Sequence, residues 1–224
     1  MNQEQWTAVD RYITETVVPS DAALDAAVEA SAKAELPPIA VTANQGKLLQ
    51  IFAHLVHARR ILEIGTLGGY STIWLARALP DDGRLISLEL SPKHAEVARG
   101  SIERAGLSKK VEIRLGRALD SLPKLATEAK GPFDLVFIDA DKASIPEYFN
   151  WSLKLSRPGS VIIVDNVVRK GAVIDADSSD EDVRGVRRLN DMLAVEKRVT
   201  ATTIQTVGSK GYDGFTLALV NSLT

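Results

Sequence analysis

The chain has 224 residues, 45% of them hydrophobic and 25% charged, which is enough for one substantial core and near the upper size of a single α/β domain. Lys and Arg number 27 against 29 Asp and Glu, a formal charge of -2, so there is no bulk basic field to hold nucleic acid. With no cysteine, disulfides, zinc thiolates and thiol nucleophiles are excluded, and any metal must be held by oxygen or imidazole.

The opening MNQEQWTAVDRYITETV lacks the basic-then-apolar layout of a signal peptide, and no apolar run is long enough for a bilayer. The expectation is a single cytoplasmic domain over residues 1–224 with no membrane or nucleic-acid partner. Residues 3–33 read as two short helices broken near Pro19 and closed off by Pro37-Pro38, so that residues 1–38 form a helical cap. From Gln45 to Ala58 the apolar residues Leu48, Leu49, Phe52, Leu55 and Val56 fall at helical spacing.

From Arg60 strands and helices alternate. The predicted strands are Ile61–Ile64, Arg84–Glu89, Val111–Leu115, Phe133–Asp139 and Val161–Asp165, the last introduced by Arg157-Pro158-Gly159. Between them come helices over Ser71–Ala78, Pro92–Ala105, Ala118–Leu125 and Ile145–Leu155. The apolar runs LVFI and VIIV suit parallel strands covered on both faces. A polar stretch then leads to a helix over Val183–Val195 and strands over Thr202–Val207 and Phe215–Val220. The loop GSKGYDG between these two strands is too short for a crossover helix, so they pair antiparallel. The pattern is an α/β doubly wound, Rossmann-like sheet of seven strands, mostly parallel, with an antiparallel last strand and helices on both faces.

The turn Glu63-Ile-Gly65-Thr-Leu-Gly68-Gly69-Tyr70-Ser71 follows the first strand and opens a helix, with small residues where a ligand approaches backbone closely. It departs from the dinucleotide fingerprint, having Leu67 at the second glycine position, and carries an acid two residues before the turn. A carboxylate there suits a ligand with a sulfonium and an amino group better than one with phosphates. Glu89 ends the second strand, where an acid can accept from both hydroxyls of a ribose.

Asp139 terminates the fourth strand and Asp165 the fifth, followed at once by Asn166. Neighbouring parallel strands bring these hard oxygen donors together at the ligand-binding edge, in a set that suits magnesium or calcium. Asp141 either caps the next helix or reaches the cofactor. Lys142, three residues after Asp139, lies close enough to accept a proton over the same pocket. His54, His57 and His94 show no metal-ligand spacing.

In ILEIGTLGGYSTIWLA, LISLELSP, GPFDLVFIDADK and VIIVDNVV, taken in order, the chain resembles the cation-dependent O-methyltransferases related to caffeoyl-CoA and catechol O-methyltransferases, in particular their small bacterial members. The resemblance covers roughly residues 38–220. It implies S-adenosylmethionine as co-substrate, with Val41, Glu63, Gly65, Ser71, Glu89 and Ala118 lining its site and Asp139 and Asp141 assisting. It implies Mg2+, or Ca2+ or Mn2+, on Asp139, Asp165 and Asn166, with Lys142 as general base beside Asp139. A small catechol-like acceptor and a homodimer are also implied. Two departures stand out: the N-terminal segment does not match the part with which plant members recognise coenzyme A esters, and Gln45 replaces an acid. Tyr148, Trp151 and Tyr212 are candidate aromatic walls, Lys210 and Tyr212 candidate substrate contacts, and residues 168–184 a candidate lid. Asp213-Gly214 equally suits a plain hairpin turn. The alternatives are an NAD-dependent oxidoreductase and a non-catalytic S-adenosylmethionine-binding module.

Overall fold

The computed structural model describes residues 2–221. Two helices, α1 (Gln3–Val17) and α2 (Ala22–Lys33), precede α3 (Ala43–Leu55). Then follow β1 (Arg60–Ile64), α4 (Tyr70–Arg77), β2 (Arg84–Glu89), α5 (Pro92–Arg104), β3 (Val111–Leu115), α6 (Ala118–Thr127), β4 (Phe133–Ile138) and α7 (Ile145–Lys154). β5 (Ser156–Asp165), α8 (Glu181–Val195), β6 (Val199–Gly208) and β7 (Gly211–Val220) complete the chain. The seven strands form one sheet in the order β3-β2-β1-β4-β5-β7-β6. β7 runs antiparallel to both neighbours and the remaining pairings are parallel.

Helix starts follow local chemistry. Asp21 Oδ1 accepts from the backbone N–H groups of Ala23 and Leu24 at 3.0 and 3.2 Å, Thr42 caps α3, and Ser91 caps α5 with Pro92 in its first turn. Arg77 donates to both oxygens of the Asp21 carboxylate, to Oδ2 at 2.6 Å and to Oδ1 at 3.0 Å, which holds its pKa down to about 2 and fastens α2 to α4.

Strand periodicity divides the core. Ile61, Leu85, Leu135, Phe137 and Ile163 face α2 to α5, whereas their chain neighbours Leu62, Ile86, Val136, Ile138 and Ile162 face α6 to α8. All six residues of β4 are buried, and each large apolar side chain so placed contributes roughly 1.5–3 kcal/mol. At the amino-terminal edge, buried Asp134 accepts from Arg59 N, Arg60 N and the Arg157 guanidinium, at 2.6 to 3.0 Å. The opposite edge is thereby left for the ligand site.

Two expectations need correction. β5 does not begin at Val161: Ser156 already pairs with Phe133, and Arg157 to Ser160 bulge out, with Gly159 at φ 87, before Val161 pairs with Leu135. The GSKGYDG segment is no seven-residue loop. Gly208 pairs with Gly211, leaving Ser209-Lys210 as a two-residue turn, and Asp213 and Gly214 pair with Thr206 and Gln205 inside the ladder. A ladder tolerates glycine and aspartate where cross-strand partners hold their backbone.

Candidate active site

At the carboxyl ends of the parallel strands lies a cavity of about 810 Å³, within the range of small-molecule sites. Val41, Gly65, Ser71, Glu89, Ala118, Asp139, Asp141, Lys142 and Asn166 line it.

Gly65 stands at φ +97 between β1 and β4, and a Cβ there would overlap the Asp139 carbonyl oxygen. Glycine therefore lets the turn pass beneath the Asp139 backbone. Glu89, 7% exposed, fixes the turn from the other side: its Oε2 accepts from Thr66 N at 3.1 Å and Leu67 N at 2.9 Å, and its Oε1 from Ser91 N at 2.8 Å. A carboxylate has about four acceptor positions, so three are committed to backbone, with His94 Nδ1 a further 3.4 Å from Oε1.

Glu63 lies behind the cavity wall and is fully buried. Its oxygens accept from Ser71 Oγ at 2.6 Å, Thr72 Oγ1 at 2.5 Å and Ser87 Oγ at 2.6 Å. Burial pushes its pKa up to about 7 even against these hydroxyls. Glu63 is thus set back from the cavity lining, and Ser71, which donates to it, stands on that lining.

Asp139 follows β4 and Asp165 ends β5. Asp165 is buried, and that burial, followed by the negative field of Asp139, pushes its pKa up to about 7. Asp139 and the buried Asp165 thus stand close together at the ends of neighbouring parallel strands. Asn166, at φ 59, completes the set and donates its backbone N–H to Asp165 Oδ1 at 2.9 Å. The third donor is an amide, and among the described residues no site gathers three or more His, Cys, Asp or Glu. Two hard carboxylates plus an amide oxygen fit a divalent cation of the magnesium or calcium type.

Lys142 follows in a single 3-10 turn over Lys142–Ser144. Only 6% exposed, it donates to Asp139 Oδ1 at 2.9 Å. Asp141 both caps this turn, accepting from Ser144 N at 3.1 Å, and accepts from the Tyr148 hydroxyl at 2.5 Å. Burial works against the Asp141 carboxylate, but these bonds hold its pKa below the usual value, while burial and Asp141 together push Tyr148 up. Tyr148 lines the cavity. Trp151 does not: Lys154 Nζ sits 4.6 Å above its ring, one turn further along α7. Tyr212 packs near Gly171 and bonds Gln205.

Four contributors act through contacts that the sequence did not indicate. The Gln45 side chain meets Asp165 from α3. Gly185 of α8 packs so closely on the Lys142 carbonyl that a Cβ would overlap it. Arg169, paired with Asp182 at 3.0 Å, brings residues 168–184 to the cavity rim. Asp213 Oδ1 accepts from Val168 N and Arg169 N, each at 3.0 Å, and fixes the backbone beyond Asn166. Each pairing spans a sequence separation that periodicity does not register.

A seven-stranded sheet with an antiparallel penultimate position, a glycine turn after β1 and acids at the ends of β2, β4 and β5 define a class I methyltransferase architecture. The comparisons narrow this. Residues 14–220 match the O-methyltransferase family model, and the chain belongs to that family. Catechol O-methyltransferase from Niastella koreensis is 54% identical over 98% of this chain and 100% of its own. The structure of the O-methyltransferase TomG from Streptomyces achromogenes, involved in tomaymycin synthesis and in complex with SAM, has 57% identity and a TM-score of 0.96 over 99% of this chain and 100% of that one. An O-methyltransferase from Bacillus cereus in complex with SAH has 55% identity and a TM-score of 0.97 over 98% and 100%. The protein is thus an O-methyltransferase, and the oxidoreductase and non-catalytic alternatives give way.

Proposed function

We propose that the enzyme transfers the methyl group of S-adenosylmethionine to one hydroxyl of a catechol-like, vicinal dihydroxy acceptor, with a divalent cation held by Asp139, Asp165 and Asn166. The observation carrying this reading is that Asp139, Asn166 and Lys142 line the same cavity as the Gly65 turn and Glu89, with Asp165 buried beside Asp139. The SAM and SAH complexes of relatives at 57% and 55% identity support the co-substrate, and the catechol O-methyltransferase at 54% supports the acceptor class.

Held by Asp139, Asp165 and Asn166, a divalent cation would supply Lewis acidity that lowers the pKa of an acceptor hydroxyl. The chain supplies the rest. Glu89 and the Gly65 turn shape the nucleoside end, with Val41 and Ala118 as apolar walls and Ser71 carrying the influence of Glu63. Lys142, gripped by Asp139 and dry, takes the acceptor proton at Nζ once in its neutral form. Tyr148, pinned by Asp141, closes one wall against water, which favours neutralisation of an oxyanion and a sulfonium.

The test is methyl transfer to a catechol panel with and without EDTA. The reading requires turnover that chelation abolishes and added Mg2+ restores; turnover indifferent to exhaustive chelation refutes the metal role.

We further propose a homodimer. α1 buries none of its residues and exposes Val9, Tyr12, Ile13 and Val17, with Tyr12 and Val17 at 67% and 68%. It packs beside the edge strand β6, which exposes Ile204 and Val207. A second copy covering this face gives a dimer by light scattering, and Tyr12→Asp shifts it to monomer; a wild-type monomer at micromolar concentration refutes the assembly.

A further inference from the structure

A second cavity, of about 370 Å³, opens at the amino-terminal edge of the sheet, the edge opposite the cleft. The first residues of β1 to β4 and the segment leading from α6 to β4 line it. Its floor is apolar, with Ile86 and Phe133 buried at 5% and 1% exposure, and its exposed rim carries the cations Arg60, Arg84, Lys109 and Lys130.

The sheet collects cations that are far apart along the chain. Arg60 and Arg84 are register partners on neighbouring parallel strands, so their side chains leave the same face from backbones about 4.8 Å apart. Alternation from Ile61 and Leu85 sets that face toward α6. A carbonyl steadies each guanidinium: Arg60 donates to the Gly131 carbonyl at 2.6 Å and Arg84 to that of Gly83 at 2.7 Å. Such a bond fixes the group without neutralising it and leaves most of its five N–H donors available.

The nearby acids are engaged elsewhere. Glu112, the one acid on the lining, pairs with Arg114 at 2.7 Å, and Arg114 also holds Glu128 at 2.6 Å. Lys110 donates to the Leu79 carbonyl at 2.8 Å and sits 3.5 Å from Asp81. Among the described residues no carboxylate lies within ion-pair distance of Arg60, Arg84, Lys109 or Lys130. The whole chain has a formal charge of -2, so four unpaired cations around one concavity are not the by-product of a basic protein. A bound anion relieves their mutual repulsion.

We infer that this cavity binds a phosphoryl anion, a diphosphate either free or as the head of a nucleotide, away from the methyl-transfer cleft. Arginine forks at neighbouring strand starts suit the paired oxygens of one phosphate, and the lysines supply point charges to the next. The volume and the apolar floor leave room beyond the phosphates for a ring.

The experiment titrates pyrophosphate into the full-length S-adenosylhomocysteine complex by calorimetry, in EDTA so that no dication in the cleft bridges to it. The expected result is saturable one-to-one binding with Kd below about 1 mM, weakened about tenfold or more in Arg84→Gln and in Lys109→Gln. Lys33→Gln, which removes the same charge from an exposed position on α2, should leave it unaltered. All three variants should keep wild-type kcat, because none of these residues lines the cleft. Citrate, a carboxylate of comparable charge, should bind at least about tenfold more weakly. ADP distinguishes the two sources: tighter binding than pyrophosphate assigns a nucleotide, and equal or weaker binding assigns the free anion. No saturable pyrophosphate binding, equal weakening in Lys33→Gln, or citrate bound as tightly would each overturn the site and leave a solvated basic rim.

Discussion

Lys142 Nζ lies 2.9 Å from Asp139 Oδ1 with its side chain only 7% exposed, so a cation is sealed into the wall of the cleft by an acid three residues before it. The pairing does two things at once. It prevents Lys142 from extending into water, and it places an amine beside an acid that also belongs to the candidate metal set, where an added dication would compete for the same oxygen and free the amine.

Lys142→Arg preserves the charge and the ion pair but presents a group that does not deprotonate. Both Lys142→Arg and Lys142→Ala should reduce kcat by roughly 10²–10⁴-fold, the usual contribution of a general base. Single-turnover rates together with S-adenosylhomocysteine affinity provide the check. A kcat within a few fold of wild type in Lys142→Arg removes the base assignment.

Gly185 lies on α8, outside the cavity lining, yet a Cβ there would overlap the Lys142 carbonyl. Gly185→Ala should raise α8 propensity by up to about 1 kcal/mol locally and still lower stability and kcat, because the 3-10 turn carrying Lys142 must move. The variant is expected to bind S-adenosylhomocysteine like wild type while losing at least about tenfold in kcat. Full activity with an unchanged melting temperature would show that α8 yields instead.

Asp165→Ala removes one carboxylate of the donor set without touching the Gly65 turn. Metal-dependent turnover should be lost and S-adenosylhomocysteine affinity largely kept, as read by titration calorimetry with and without Mg2+. Loss of nucleoside binding with Mg2+ binding intact would reverse the division of the site.

Glu63 links the site to pH. Its pKa is about 7 in the folded protein against 4.5 in the unfolded chain, so the folded state holds a proton that the unfolded state releases between these values. The stabilisation is present in full below pH 4.5 and is lost as pH rises through 7, an amount of roughly 3 kcal/mol at 1.36 kcal/mol per unit. Glu63→Gln, which stays neutral, should flatten the fall in melting temperature between pH 5 and 7.5 measured in EDTA. Asp165, raised in the same direction, leaves part of the slope in place. Identical slopes in the two proteins would mean that Glu63 is ionised throughout.

Much of the fold could be read along the chain because its cues are local. β4 and β5 announced themselves by short, nearly continuous apolar runs, and β2 and β3 matched their predicted bounds of Arg84–Glu89 and Val111–Leu115. The start of β5 and the β6–β7 hairpin differ from the expectation because Pro158, Gly159 and Gly211 look like strand breakers, whereas a bulge and cross-strand bonding accommodate them. Trp151 shared helical spacing with Tyr148 but faces away from the cavity.

Sequence alone determined which chemical groups sit at strand ends: the glycine turn, Glu89, Asp139, Lys142 and the Asp165-Asn166 pair, all fixed by alternation over a few residues. Tertiary structure decided what those groups meet. Only packing could place Glu63 behind three hydroxyls, bring Gln45 onto Asp165 and press Gly185 against Lys142, because each of these contacts closes a loop of chain whose ends share no local pattern. Strand-end chemistry is written in neighbours along the chain; its environment is set by neighbours in space.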